Sequence, residues 1–529
     1  MAATSATASR HTGDGRVYRE PLLRLAPFVL ALIFALWGLR GVRTSSIADF
    51  DSPRHALNGA FLFDMARHGE LAHPVKYGYW YYSRLPALSL PYHPPVFPAF
   101  EALIFSVVGV SSFAARLSVA IATAAAVFLL FRLVRTSHGS RTLAFVVTAS
   151  FFALPMTQRL SNTVMLEVPA LAFVLAAALF LLPEDEALLT PRSLYFALFA
   201  VIAIWTKQTV FLFFLPAVYV AASAKWGLLR KVYFWVVECL VGASAVALAL
   251  LGRELHWNGI NQSWAKMSAL QYVAQNLGYY FHWKVILGLS LVFLCLFTYR
   301  LPGGRDDLKR DRIYIAWLIA VLVVLFSSPA YSVRYLFFAI PPFLLLVFNG
   351  LFRVSRRFIP RYGWVIPATV CLGLCGYGLT VHPVLVRGPA EAARMVHDAG
   401  HRRILFCGNS NGAFVFAARS SDPDLETIVV RGDKLSASTF APEQLNAFIK
   451  RYGIDSVVLE RTTNLQAWDS LSAEALPFLS PERVLEMSDS DHWQDGSLSL
   501  YRVKDPTTVP KSSLQVPISV LGRSVDLQF

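Results

Sequence analysis

Five ionisable residues stand where apolar runs begin or end, and their types suit phosphate chemistry. Asp49 and Asp51 lie in 48-ADFDSPRHALNGAFLFDMARHGE-70, directly after an apolar segment, and Asp64 follows in the same stretch. Glu167 opens the apolar run within 157-TQRLSNTVMLEVPALAF-173. Lys207 separates two apolar runs in 204-IWTKQTVFLFFLP-216, and Arg334 begins another in 328-SPAYSVRYLFFAIPPFLLL-346. Charged groups beside apolar runs are costly unless hydrated, paired or used. Two cations can hold a phosphate while a neighbouring carboxylate removes or steers a proton. The bland alternatives are hydration of helix ends by Asp49 and Asp51, a favourable dipole contact for Glu167 and snorkelling by Lys207 and Arg334.

The elements that must carry these residues are membrane helices. The 529-residue chain is 55% hydrophobic and 16% charged, against roughly 25% charged residues in a soluble domain. Its formal charge of +14 is accounted for by basic cytoplasmic loops, so nucleic acid is not an expected partner. The cysteines define neither a disulfide framework nor a metal site. At about 20 apolar residues per crossing, segments near 22–41, 113–134, 143–160, 165–183, 194–206, 209–224, 232–251, 284–299, 313–328, 335–351 and 364–381 are candidate spans, about eleven in all.

Orientation follows from charge. The segments 135–141, 225–231, 299–312 and 352–363 are basic and fall on the side of the N-terminus, which the positive-inside rule makes cytoplasmic. Opposite lie the loop 42–112, the loop 252–283 and everything after about 382. Lys207 and Arg334 then sit on the outer face, where that rule does not account for them. The segment 94–112 is apolar enough to cross, but a crossing would turn every later basic loop outward, so it is read as a helix along the outer interface.

Three regions result: a cytoplasmic tail over 1–20, a membrane domain over 21–385 and a soluble domain over 386–529. In the last, 403–408, 427–432, 454–460 and 497–503 have the pattern of short strands, while 389–400 and 442–453 have helical periodicity ending in Gly, which suggests a small α/β unit. The turn 408-GNSNGAF-414 fits neither phosphate-loop spacing and reads as a strand-to-helix connection. The ends 1–20 and 504–529 are expected to be poorly ordered.

Several pieces, in order, resemble the polytopic C-type glycosyltransferases that use polyprenyl-phosphate sugars, the clan of protein O-mannosyltransferases and lipid A aminoarabinose transferases. They are 50-FDSPRHALNGAFLFDM-65, residues 93–135, residues 158–179, 205-WTKQ-208 and 334-RYLFFAIPP-342. The resemblance implies a mainly α fold, a transmembrane bundle of about 11 to 13 spans with a small C-terminal extracytoplasmic α/β domain. It makes Asp51 the general base; with Ser52 replacing the family's Glu, the choice of base between Asp51 and Asp49 stays open, and both are catalytic candidates. Glu167 matches the second acid, Lys207 a donor-phosphate lysine, and Arg334 with Tyr335 an arginine-tyrosine pair near the carrier lipid. His93 replaces the Lys of the family's Lys-Pro-Pro element. Tyr92 stands where relatives acting on lipid A carry an acid; with His55 and His93 it is a candidate substrate contact.

The activity implied is transfer of a hexose or pentose from a polyprenyl-phosphate donor to a lipid, glycan or protein acceptor at the periplasmic face of a bacterial inner membrane. No cofactor is required. Asp49, Asp51, His55 and Glu167 are ligand types a divalent metal accepts, but their spacing does not select one. A transporter or flippase of lipid-linked sugars would also place charges in the membrane, yet no inverted repeat is visible. A non-catalytic assembly subunit would have no need of both acids and both cations. The aromatic run 77-YGYWYY-82 suits both sugar stacking and an interfacial belt.

Overall fold

The structure is a computed structural model and describes residues 19–42, 47, 51–90, 93–182, 190–254, 268–280, 283–301, 304–327, 332–462, 468, 476–489, 495–506, 513–518 and 523–528. Three parts pack together: a helical bundle, a β-sheet with its helices, and a platform of short helices that contacts both.

The bundle is built around the helices Ser112–His138, Arg141–Ala153, Glu167–Leu181 and Arg192–Thr206. Ser112–His138 has both ends specified: the Ser111 side chain accepts from Ala114 N at 3.1 Å, and Gly139 closes the helix at φ 68°. Its 27 residues amount to about 40 Å at helical rise. Glu167–Leu181 is buried on nearly every face, and its alanines at 170, 172, 176, 177 and 178 let neighbouring helices approach closely. By contrast, the first helix, Arg19–Gly38, leaves Leu25, Phe28, Leu32 and Leu36 exposed in one stripe, a surface that suits lipid rather than water.

All eleven segments read as spans contain helix, but not all as single crossings. Among the described residues, Ser112–His138, Val232–Leu251 and Val333–Phe358 are long and apolar enough to cross a membrane. The pair Arg141–Ala153 and Pro155–Asn162, bent by 66°, makes a fourth if it is one span. The segment 209–224 departs most from expectation. It forms a 3-10 turn, Leu212–Phe214, and a helix of only 9 residues, Leu215–Ser223, opened by Pro216, because Lys207 and the residues after it leave the helical path.

The platform comprises Ser52–Arg67, Pro74–Arg84 and Val96–Val108. The last has 13 residues, about 20 Å at helical rise and short of a bilayer's hydrocarbon thickness. It crosses Ser52–Arg67 so closely that a Cβ on Gly59 would come within 2.6 Å of Glu101 Cβ.

Six strands form the sheet: β1 (Val386–Arg387), β2 (Arg403–Cys407), β3 (Ile428–Arg431), β4 (Ser456–Thr462), β5 (Leu479–Asp489) and β6 (Gly496–Val503). Their order is β1-β5-β6-β4-β2-β3; β3, β2 and β4 run parallel and the rest antiparallel. The connecting helices are Pro389–Asp398, Asn411–Ser421 and Pro442–Tyr452, the last closed by Gly453 at φ 60°. Part of the tail expected to be poorly ordered pairs instead: β7 (Ser513–Ile518) and β8 (Arg523–Gln528) make an antiparallel ladder, with Leu514 opposite Leu527 and Val516 opposite Val525. A buried clasp fixes the sheet layer to the platform. Arg419 donates from Nε to Asp64 Oδ2 at 2.6 Å and pairs again through Nη2, while the Tyr81 hydroxyl donates to the same carboxylate at 3.1 Å. Asp64 therefore serves docking rather than the outer-face chemistry that its position suggested.

Candidate functional site

The residue that starts the platform is Asp51. The chain reaches it from the end of the first helix, where the Gly38 carbonyl accepts from Asn162 Nδ2 at 3.0 Å and Arg116 Nη2 at 3.3 Å. A Cβ at Gly38 would meet Ser161 O at 2.8 Å, so glycine permits this approach. Asp51 occupies the N-cap position of Ser52–Arg67, yet its side chain makes no cap hydrogen bond. Both terminal nitrogens of Arg334 instead donate to Asp51 Oδ2 at 3.1 Å.

Arg334 is delivered by a 3-10 turn, Val333–Ala339, leading into Ile340–Phe358, whose first turn holds Pro341 and Pro342. Its Nε lies 3.6 Å from Glu167 Oε1. Lys207 follows the end of Arg192–Thr206, its backbone already extended, and places Nζ 3.1 Å from the same Glu167 oxygen. Tyr335 lies beneath both cations, with Lys207 Nζ 5.7 Å and Arg334 Cζ 6.0 Å from its ring centroid. It also lines an apolar pocket with Val210, Leu212, Leu215, Trp317 and Phe338.

The two acids differ in access. Glu167 is fully enclosed, whereas the Asp51 side chain is 32% exposed. Burial pushes the Asp51 carboxyl up, but Arg334, with a smaller contribution from Arg54, reverses this and leaves it below its ordinary value. Beside it the His55 and His93 rings meet edge to face, 4.3 Å between centroids. Burial lowers both imidazoles well below their ordinary value; Lys207 and Arg334 add to this in each, and His93 also feels His55. Both rings are therefore neutral at neutral pH.

Asp51, Glu167, Lys207, Arg334 and Tyr335 thus converge from segments up to 284 residues apart, with His55 and His93 alongside. Asp49 and Tyr92 lie outside the described residues. Sequence reading passed over Arg54, one helical turn beyond Asp51 and within its electrostatic reach. The i to i+3 spacing was the available signal. Among the described residues no group of three or more His, Cys, Asp or Glu side chains is arranged to hold a metal ion.

This architecture is the C-type glycosyltransferase fold. Along 94% of this chain and 100% of the other, it superposes on ArnT from Cupriavidus metallidurans bound to undecaprenyl phosphate, with a TM-score of 0.57 and 14% sequence identity. The apo state of that protein gives 0.56, again at 14% identity, over 91% of this chain and 98% of that one. Residues 92–251 match the family described as dolichyl-phosphate-mannose-protein mannosyltransferase, so the chain carries that family's sequence pattern across the segment holding Glu167 and Lys207. No curated protein sequence matches the chain.

Proposed function

We propose that this chain is a membrane glycosyltransferase that takes a sugar from a polyprenyl-phosphate carrier and transfers it at the outer, periplasmic face of a bacterial inner membrane. The observation that carries this reading is the convergence of Lys207 and Arg334 over Tyr335, which also lines an apolar pocket. A phosphate needs the cations and a prenyl chain needs the pocket. The undecaprenyl phosphate of the similarly folded protein is a ligand of this chemistry.

In the structure both cations are occupied by acids, Lys207 by Glu167 and Arg334 by Asp51. A donor phosphate competes for them. When Arg334 turns to the phosphate, Asp51 loses its strongest stabilising partner, becomes more basic and is released toward the acceptor. Asp51 takes the acceptor's proton as the acceptor attacks the anomeric carbon from the face opposite the leaving phosphate. The bond to the phosphate oxygen breaks with inversion, and Lys207 and Arg334 stabilise the charge that develops there. Glu167, enclosed and between the two cations, acts as their positioning group.

Binding of undecaprenyl phosphate to the purified chain in nanodiscs tests the first half of this reading. Lys207→Ala is expected to weaken binding by roughly tenfold or more, the loss of one charge-assisted contact. Unchanged affinity would remove Lys207 from the phosphate site.

A further inference from the structure

A second concentration of positive charge lies near Asp51, where platform and sheet meet. Arg54 is within electrostatic reach of Asp51, Arg431, Asp433 and Tyr82, and Lys434 is within reach of Arg431, Asp433 and Arg54. Three separate elements supply them: the first turn of Ser52–Arg67, the helix Pro74–Arg84, and the end of β3 with its following turn, Gly432–Lys434.

The cluster is built rather than incidental. Arg431 is fixed by two bonds to Asp433, at 2.9 and 2.6 Å, and by a 2.8 Å bond from Nη1 to Pro86 O on the platform. Tyr82 is buried in one apolar cluster with Leu405, Cys407 and Val430 of the sheet layer. Arg54 Nε is buried and has no hydrogen-bond partner among the described residues. Asp433 is an acid within reach of all three cations, and Asp51 is paired with Arg334.

Its place in the sheet points the same way. Arg431 and Lys434 lie at the carboxyl end of a parallel strand, the edge at which open α/β sheets receive ligands. The neighbouring turn after β2 is already filled: Glu460 accepts from Ser410 N at 2.9 Å and from Ser410 Oγ at 2.5 Å, so the start of Asn411–Ser421 has its anion from within the chain. The turn after β3 carries Asp433, and it is the one within reach of Arg54.

We propose that this junction is an acceptor subsite: an anionic group on the acceptor, phosphate or carboxylate, binds between Arg54 and Lys434 over the fixed Arg431, and brings the acceptor's nucleophile to Asp51. The inference rests on the glycosyltransferase reading and gives the sheet layer a part in choosing the acceptor. It requires two anion sites near Asp51, one for the donor at Lys207 and Arg334, one for the acceptor here.

The test uses the full chain in phosphatidylcholine nanodiscs, with thermal protection as readout and potassium chloride of matched ionic strength as control. Undecaprenyl phosphate is added to saturation and inorganic phosphate is then titrated. The subsite predicts further saturable protection by phosphate, with apparent affinity weakened roughly tenfold in Arg54→Gln and in Lys434→Gln, retained in Arg54→Lys, and unaffected in Lys207→Ala without the lipid. Lys434 is half-buried in a surface turn, so its variant leaves the fold intact should Arg54→Gln disturb the helix. A parallel set of nanodiscs containing phosphatidic acid separates a lipid anion from a free one: occupancy by the lipid abolishes the phosphate response in wild type and restores it in neither glutamine variant. Absence of any phosphate response with undecaprenyl phosphate protection intact would overturn the subsite and leave the donor reading standing. Phosphate protection equal in wild type and both glutamine variants would overturn it as well. Loss of only the undecaprenyl phosphate response would instead overturn the donor reading.

Discussion

Replacing Arg419 with Met removes one side of the clasp that joins sheet and platform. Asp64 is then buried with no cation, and the bond from Arg419 Nη1 to Asp422 O, 3.2 Å, is also lost. Breaking a buried pair by removing one partner costs about 3–5 kcal/mol. The Tyr81 hydroxyl remains, donating to Asp64 at 3.1 Å, which sets the expectation in the lower half, about 3–4 kcal/mol. Amide exchange in the full-length protein reads this out where the two layers touch, in Ser52–Arg67 and Asn411–Ser421. At about 1.4 kcal/mol per factor of ten, their slowest amides should exchange roughly a hundred to several hundred times faster. The double variant Arg419→Met with Asp64→Leu carries no stranded charge and should recover to within about tenfold of wild type. Exchange accelerated less than tenfold in the single variant, or equally fast in the double, would refute the clasp.

Two further outcomes follow from buried titratable groups on the platform. Glu101 is fully enclosed, has no partner for either oxygen among the described residues, and has its carboxyl pushed well above the ordinary value by burial. Glu101→Met should therefore leave thermal stability unchanged or raise it by about 1–3 kcal/mol at neutral pH, and a clear drop would show that the carboxyl is used. The lowered imidazoles of His55 and His93 give the opposite dependence. A depressed folded value means that stability is kept above about 6.5, the ordinary histidine value, and lost as pH falls through the folded value. His55→Gln removes one of these protons and one neighbour of His93, so the fall in thermal stability between roughly pH 6.5 and 5 should become shallower; an unchanged slope would contradict the assignment.

Much of the site could be read from single residues because membranes make charge conspicuous. Glu167, Lys207 and Arg334 stand out against apolar neighbours, and the positive-inside rule separated the two cations from the topological ones. The four strands read from apolar runs form β2, β3, β4 and β6. The strand β5 escaped notice because 479-LSPERVLEMSD-489 mixes Pro, Glu and Arg into its alternation, and it pairs with a bulge between Pro481 and Arg483. Span lengths were the weaker reading. Hydropathy registers composition and not where backbone hydrogen bonds stop, so the short, broken helix after Lys207 and the bend before Pro155 were invisible to it. Pairings such as Asp64 with Arg419, 355 residues apart, have no local signature. Nothing in 427-TIVVRGDK-434 indicated that its cations would face Arg54.

The central claim is that Asp51 acts on an acceptor while Lys207 and Arg334 hold a polyprenyl phosphate. Sugar transfer in purified membranes, supplied with a panel of radiolabelled undecaprenyl-phosphate sugars, tests it most directly when wild type is compared with Asp51→Asn and Lys207→Ala at matched protein level and topology. The account predicts transfer by wild type from one donor of the panel. It predicts a rate reduced by about 10²–10⁴ in Asp51→Asn with donor binding retained, and loss of both binding and transfer in Lys207→Ala. Full activity in Asp51→Asn would contradict Asp51 as the base, and movement of the labelled lipid across the membrane with no transfer from any donor would contradict the enzyme itself.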